Sequence, residues 1–218
     1  MNTNKKLKLT VYLGIAGTLL MFAGDMLLYF TTSPIPDIDN GLLISMGEIP
    51  FGRLVIGGMI GPLAAILYTA GFYHLLLRVE KTSRKVSWLV FSILTISMII
   101  GGAYHAFFPA FGVVSAQGHP EIIPNLLSYA VLLAAVSFSL MGIGWILLCV
   151  LVLQKKTSLP RWIVFITPLT TIWLISIWNM LTQPLDIVIA GGWYNLMHTI
   201  VFMAAMLTLK NNRHTAKV

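Results

Sequence analysis

The sequence has little of what a water-soluble protein needs. Only 10% of its 218 residues are charged, whereas 57% are hydrophobic, and the mean hydropathy is +0.86. Soluble domains carry about 25% charged residues, so this composition excludes an ordinary soluble fold. The single cysteine, Cys149, excludes an internal disulfide, a CxxC redox pair and a thiolate-ligated cluster. The sequence therefore predicts a membrane protein.

Signatures of familiar chemistry are also missing. The chain contains no HExxH, no H-x-x-x-H, no GxSxG and no low-complexity tract, and its residues identify no known family. A net charge of +7 suits nucleic-acid binding only where it forms a basic face on a folded module. Here Lys and Arg occur in short clusters between apolar runs, so the expected partners are membrane lipids and not nucleic acid.

Six apolar runs are long enough to cross a hydrocarbon core, which takes about 20 residues of helix. They lie near 9–31, 54–77, 86–108, 126–153, 161–182 and 188–209. The first run follows a basic leader but is too long for a signal peptide, carries Asp25 and lacks a small-residue cleavage site. We therefore expect an all-α, polytopic bundle of six transmembrane helices that forms a single domain over 1–218.

The charges predict an orientation for these helices. If the helices alternate in direction, nearly all the cations fall on one side of the membrane: Lys5, Lys6, Lys8, Arg78, Lys81, Arg84, Lys85, Lys155, Lys156, Arg161, Lys210, Arg213 and Lys217. Arg53 is the exception on the other side. Because cytoplasmic loops are rich in Lys and Arg, this pattern predicts cytoplasmic N- and C-termini in a multi-pass protein of the plasma membrane.

Polar residues inside the runs can be placed by height. Counting about 1.5 Å per residue from the nearest basic anchor puts Asp25 at about 25 Å, Asn179 at about 27 Å, Asn195 at about 22 Å, His198 at about 18 Å and His105 at about 30 Å. Polar groups are costly in hydrocarbon and usually face the interior of a bundle. We predict that these five residues form one polar cluster in the outer half of the membrane, around a pocket that opens toward the outer face.

The cluster defines the candidate catalytic residues. Asp25 is expected to be either protonated or paired with a protonated His105 or His198. A histidine would act as general base or metal ligand, the acid would orient or balance it, and Asn179 and Asn195 would hold a developing oxyanion. The simpler interpretation is that Asp25 joins helices as part of a structural pair and that the two asparagines supply interhelical hydrogen bonds.

Three classes of function remain open. The first is an enzyme acting on a lipid or isoprenoid, which the concentration of polar residues on one side favours. The second is a small proton-coupled transporter or channel, because His74, His198 and His105 form a rough ladder across the bilayer. The third is a non-catalytic membrane partner or sensor. The expected ligand is a lipid-like small molecule, and the pattern specifies no cofactor, no metal and no oligomeric state.

Three further patterns concern packing. Gly57 and Gly61 form a GxxxG helix contact. Aromatic residues near the helix ends, Trp193 and Tyr194 among them, are expected in interfacial belts. The loops around 37–53 and 110–125 combine apolar residues with Gly and Pro, which predicts segments folded back onto the outer rim.

Overall fold

The protein is helical throughout the part that the structure describes. This computed structural model describes residues 3–80 and 83–211, the last two without their side chains. Five helices are long and apolar enough to cross a membrane: α1 (Thr3–Tyr29), α3 (Phe51–Leu77), α4 (Arg84–Phe107), α6 (Ile123–Leu153) and α9 (Leu185–Asn211). Four short helices connect them: α2 (Gly41–Ser45), α5 (Pro109–Ala116), α7 (Pro168–Thr171) and α8 (Ile175–Trp178). The prediction of an all-helical membrane bundle is confirmed at this level.

The long helices form a curved row in the order α9, α1, α3, α4, α6. The closest approach joins α1 and α3, where a Cβ added to Gly14 would lie 2.6 Å from the Cα of Gly71. Small residues allow such a backbone contact, and dispersion forces then hold the helices together. The segment of residues 161–178 packs against both α6 and α9, so it fills the space between the two ends of the row.

One end of the bundle, which we call the basic end, holds the start of α1 and the ends of α3, α6 and α9. Here Lys6 on α1 donates to the Tyr73 hydroxyl on α3 at 2.7 Å, and the Glu80 N–H donates to the Lys156 carbonyl. Most of the cations counted above lie at this end, while Lys81, Arg213, Lys217 and the side chain of Lys210 lie outside the described residues.

Arg78 is buried at the basic end and links three parts of the chain that meet there. Its guanidinium donates to the Ser158 hydroxyl and carbonyl, to the Ala205 carbonyl at 3.1 Å and to the Thr208 hydroxyl at 3.1 Å. Burial lowers the pKa of Arg78 to about 10, so the group stays charged at neutral pH. Arg78 therefore joins α3, the loop after α6 and the last turns of α9.

The segment of residues 161–184 differs from the predicted continuous helix over 161–182. It consists of a 3₁₀ stretch, Arg161–Ile166, then α7, a second 3₁₀ turn, Ile172–Leu174, and α8. Pro168 lacks an N–H and restricts the residue before it, so Thr167 is extended with ψ 157°. The hydroxyls of Thr167 and Thr170 both donate to the Val164 carbonyl, which competes with helical hydrogen bonding.

This broken segment leads from the basic end of the bundle to its opposite end, the far end. At its start, the Ser158 N–H just before it donates to the Arg78 carbonyl at 2.8 Å. At its finish, the Gln183 amide donates to the carbonyls of Thr31 and Ser33, directly after α1. The chain thus reaches the start of α9 at the far end.

The loops at the far end fold back onto the bundle, as their composition predicts. The Ser115 hydroxyl of α5 donates to the Ile44 carbonyl of α2 at 2.6 Å, and Phe111 is buried in a second apolar core there. Arg53 donates from one nitrogen to the Met26 and Phe30 carbonyls. Arg53 therefore caps the last turn of α1.

Candidate functional site

Asp25 lies at the centre of a buried polar cluster contributed by three helices. Its Oδ1 lies 3.2 Å from Nδ1 of His105 on α4. Its Oδ2 accepts a hydrogen bond of 2.6 Å from the Asn195 amide on α9. All three side chains are buried. The structure therefore brings together three of the five predicted site residues, although they are far apart in the chain.

Both ring nitrogens of His105 face acceptors. Nε2 lies 3.0 Å from the Gly57 carbonyl, which can only accept, so Nε2 carries a hydrogen. A second proton must lie between Nδ1 and Asp25, because without it two lone pairs would face each other. The pair is then either imidazolium with carboxylate or imidazole with carboxylic acid. In both forms it carries no net charge, which lowers the free-energy cost of burying it.

Asn195 and two tyrosines complete the support of the carboxylate. The Tyr68 hydroxyl on α3 donates to Asn195 Oδ1 at 2.6 Å, which orients the amide so that its nitrogen faces Asp25. The Tyr29 hydroxyl interacts with Asp25 and also donates to the Gly191 carbonyl at 2.8 Å. Each carboxylate oxygen thus has a fixed neighbour, and the side chain of Asp25 is held in one orientation.

His198 is buried but belongs to a different environment. Its Nδ1 lies 2.8 Å from the Tyr194 carbonyl, and its Nε2 accepts a hydrogen bond of 3.3 Å from Trp145. These two contacts fit the neutral imidazole with its hydrogen on Nδ1. Aromatic rings surround the side chain, among them those of Tyr68 and Phe72. Of the two histidines predicted as alternative partners of Asp25, His105 lies beside the carboxylate and His198 does not. The His198 ring contacts Tyr68, whose hydroxyl donates to Asn195.

Asn179 lies apart from the cluster. It is exposed after α8, near the far end, and its side chain forms no hydrogen bond within the described part of the chain. The physical reason is the broken segment: the predicted height of about 27 Å assumes a continuous helix rise from Arg161, and Thr167 and Pro168 interrupt that helix. The prediction that Asn179 joins the polar cluster is therefore wrong.

The three histidines of the predicted ladder are not joined by hydrogen bonds. His74 is buried between α3 and α1, where Nδ1 lies 2.9 Å from the Leu7 carbonyl and Nε2 has no partner in the described residues. Phe72 and Phe202 pack between the heights of His74 and Asp25 as part of a continuous apolar core. The basic half of the bundle is thus closed by aromatic side chains.

A cavity of about 500 Å³ adjoins the polar cluster. It is enclosed by α1, α4, α6, α9 and the broken segment, and Asp25, His105 and Asn195 all line it. Most of its other lining is apolar, including Trp145 and Phe108. This volume lies within the range of about 300 to 1,000 Å³ for small-molecule sites, and a mostly apolar wall with a few polar groups is typical of them.

The cavity is open on the side between α6 and the broken segment. Phe138 on α6 is 46% exposed, and Leu169 and Ile172 on the facing wall are 38% and 41% exposed. Phe138 lies halfway along α6, which runs from residue 123 to residue 153. The opening is therefore on the side of the bundle and far from both of its ends.

The sequence did not predict that tyrosine side chains surround the site. Tyr194 was expected in an interfacial belt, yet its ring lines the cavity and its hydroxyl is buried. Tyr68, Tyr29 and Tyr104 also surround the carboxylate or the cavity. The available signal was spacing: Tyr194 directly precedes Asn195 and lies four residues before His198, one helical turn away.

The arrangement suits proton transfer better than metal binding. The described residues contain no group of three or more His, Cys, Asp or Glu side chains arranged to hold a metal ion. Both nitrogens of His105 are engaged, whereas each carboxylate oxygen of Asp25 has a second lone pair, so Asp25 is the group available to a molecule in the cavity. A carboxylate that shares a proton with its neighbour can accept or donate one with little rearrangement.

Comparison with known proteins gives a family but no activity. Residues 1–212 match the family model described as Family of unknown function (DUF6796), so the chain belongs to that family. The searches of curated proteins and of solved structures find no match to the chain.

Proposed function

We propose that the protein is an intramembrane enzyme that acts on a lipid-like molecule taken from the bilayer, with Asp25 as the proton-transferring residue. One observation carries the proposal: a buried, proton-sharing Asp25–His105 pair lines a mostly apolar cavity that opens halfway along α6. Ionisable residues inside a membrane are rare and usually functional. The expected partners are membrane lipids and the lipid-like substrate, and nucleic acid is not among them.

Each residue of the cluster has a role in this proposal. Asp25 takes a proton from the polar group of the substrate and returns it to the product, as a general base and then a general acid. The oxyanion left on the substrate is balanced by the pair, which then holds both its shared proton and the transferred one. His105 is a positioning residue and the partner for the shared proton, and Asn195 orients the carboxylate. Asn179 and His198 have no part in the chemistry.

The proposal includes an arrangement in the membrane. The residue 161–184 segment makes a sixth crossing, since its ends contact opposite ends of the bundle. Both termini are then on the cytoplasmic side of the plasma membrane, because the basic end carries most of the Lys and Arg residues. The polar cluster lies in the outer half, and substrates enter from the acyl-chain region.

A proton-coupled transporter has less support. Transport needs access to Asp25 from both sides of the membrane, and the basic half is filled by the aromatic core around Phe72 and Phe202. The hydrogen-bond partners of His198 are the Trp145 N–H and the Tyr194 carbonyl, and neither group relays a proton.

The test compares the lipid composition of liposomes that contain the wild-type protein with that of liposomes that contain a variant. Wild-type protein and Asp25→Asn, matched for the amount inserted, are incubated in liposomes made from extracted host lipids, and all lipid species are quantified over time. The proposal predicts that one class of lipid is consumed by the wild type and not by Asp25→Asn. Asp186→Asn, at the start of α9 and away from the cavity lining, serves as the control and should match the wild type. Identical lipid profiles for wild type and Asp25→Asn would overturn the enzyme proposal.

A further inference from the structure

Two tyrosine hydroxyls in the cavity have no hydrogen-bond partner. Tyr104 on α4 and Tyr194 on α9 both line the cavity, and neither hydroxyl forms a hydrogen bond with any residue in the described ranges. The hydroxyl of Tyr194 is buried as well. A buried hydroxyl without a partner costs about 1 to 3 kcal/mol, so such groups are usually satisfied by a protein group, a water or a ligand.

The other polar groups of the site are already satisfied. Tyr29 donates to Gly191, Tyr68 donates to Asn195, and Asn195 donates to Asp25. The two free hydroxyls therefore stand out as the donors that remain available in the cavity. Tyr104 also lies close enough to Asp25 for the two groups to interact electrostatically.

Phe138 connects the two tyrosines at the open side of the cavity. Its ring centroid lies 5.0 Å from that of Tyr194 and 6.5 Å from that of Tyr104. The three rings come from α6, α9 and α4, so a molecule that enters beside Phe138 meets the rings of both tyrosines. The entrance itself is apolar, because Leu169 and Ile172 form its other side.

The size of the cavity limits what can enter. About 500 Å³ suits a molecule of drug-like size with one chain or a few rings, and an opening halfway along α6 admits a molecule already dissolved in the hydrocarbon. A purely apolar molecule would leave both tyrosine hydroxyls without an acceptor. The wall of the cavity therefore favours a ligand that carries an acceptor such as an oxygen.

We propose that Tyr104 and Tyr194 are specificity-determining residues that donate hydrogen bonds to an oxygen of a single-chain or ring-shaped lipid, while Asp25 accepts from its hydroxyl. The ligand class is thus a lipid-soluble alcohol. This inference rests on the proposed function, since it identifies the substrate class of the same site. An alcohol can form hydrogen bonds with the tyrosine hydroxyls and with Asp25, because its oxygen accepts from a tyrosine and its hydroxyl hydrogen is donated to the carboxylate.

The test uses three probes with the same C15 chain and the same diazirine photolabel: a primary alcohol, its methyl ether and the parent hydrocarbon. Each probe is added at equal mole fraction to vesicles that contain the full-length protein, and labelling of cavity residues after irradiation is mapped by mass spectrometry. Saturable labelling in the wild type should fall in the order alcohol, ether, hydrocarbon. One hydrogen bond corresponds to about a two- to tenfold difference in occupancy.

The variants separate the contributions of the residues. The pair of substitutions Tyr104→Phe and Tyr194→Phe keeps both rings and should remove the preference for ether over hydrocarbon. Asp25→Asn should reduce the preference for alcohol over ether, because a neutral amide oxygen accepts a weaker hydrogen bond than a carboxylate oxygen does. Tyr12→Phe, an exposed tyrosine of α1, is the matched control and should leave the order unchanged.

Three outcomes overturn the inference in different ways. An unchanged order in the double tyrosine variant contradicts the role of the hydroxyls, and lipid turnover that depends on Asp25 would still uphold the proposed function. Equal labelling by all three probes in the wild type contradicts the alcohol class. Absence of saturable labelling in the cavity by any probe contradicts lateral entry, and a loss of turnover as well would remove the proposed function.

Discussion

Asp25 on α1 and His105 on α4 meet between two glycines that leave the imidazole little freedom to move. A Cβ added to Gly24 would lie 2.9 Å from His105 Nε2, and one added to Gly61 would lie 2.6 Å from His105 Cδ2. The GxxxG pair in α3 therefore does more than bring helices together. Gly61 provides the space for the ring, and the carbonyl of Gly57 accepts its hydrogen bond.

The first prediction concerns the coupling between Asp25 and His105. Removing one partner of a buried pair leaves the other uncompensated, so Asp25→Ala and His105→Ala should each lower the free energy of unfolding by about 3 to 5 kcal/mol. The double variant should lose less than the sum, with a coupling of about 0.5 to 3 kcal/mol. Chemical unfolding in detergent micelles gives the free energy of unfolding of the wild type, of each single variant and of the double variant. Additive losses would mean that the two side chains do not interact.

The second prediction concerns Gly61. Alanine at this position should push the His105 ring away from Asp25 and destabilise the protein by about 1 to 3 kcal/mol. Gly52→Ala is the matched control, because a Cβ at Gly52 meets no atom within 4 Å. The same unfolding measurement compares the two variants. Equal stability of Gly61→Ala and Gly52→Ala would contradict the tight fit around the imidazole.

The third prediction concerns two serines that join α4 to α6. The Ser97 hydroxyl donates to the Ser137 carbonyl at 2.8 Å, and the Ser137 hydroxyl donates to the Ser97 carbonyl at 2.9 Å. Interhelical hydrogen bonds in membranes contribute about 0.6 kcal/mol on average and at most about 1.7. Ser97→Ala should therefore lower the free energy of unfolding by an amount in this range. Ser139→Ala, on the exposed face of α6, should change it less; an equal effect would argue against the serine pair.

The sequence predicted the long helices well and the site in part. Continuous apolar runs and basic clusters determine where a chain can cross a membrane, and five such runs coincide with long helices. Asp25, His105 and Asn195 were found because an ionisable or amide group in hydrocarbon needs a partner. Asn179 and His198 were misplaced because height along a helix says nothing about which way a side chain points.

The sequence predicted a polar pocket that opens toward the outer face, but not the shape or the lateral opening of the cavity. The cavity exists because residues 161–178 fold as short turns between α6 and α9, and the sequence pattern there is as apolar as that of a continuous helix. Pro168 was visible in the sequence, but proline is tolerated within membrane helices, as Pro62 is within α3. The hydroxyls of Thr167 and Thr170 that stabilise the break act through contacts that only the structure reveals.

The fourth prediction concerns the arrangement in the membrane. In a Cys149→Ala background, cysteines are introduced at three exposed sites: Gln117 and Thr182 at the far end and Gln154 at the basic end. A membrane-impermeant maleimide should label Gln117→Cys and Thr182→Cys in intact cells, and Gln154→Cys only after lysis. Labelling of Gln154→Cys together with Thr182→Cys in intact cells would contradict a sixth crossing by the broken segment.

The central claim is that Asp25 is reached from the hydrocarbon through the side of the bundle, and a lipid-soluble carbodiimide tests it most directly. Such a reagent adds to a carboxyl group that can supply a proton, which the Asp25–His105 pair can do. Dicyclohexylcarbodiimide should modify Asp25 in vesicles. Gly142→Phe should prevent this, because Gly142 lines the cavity beside open space, whereas Gly52→Phe should not. Modification of Asp25 at the same rate in Gly142→Phe, or none in the wild type, would contradict the account.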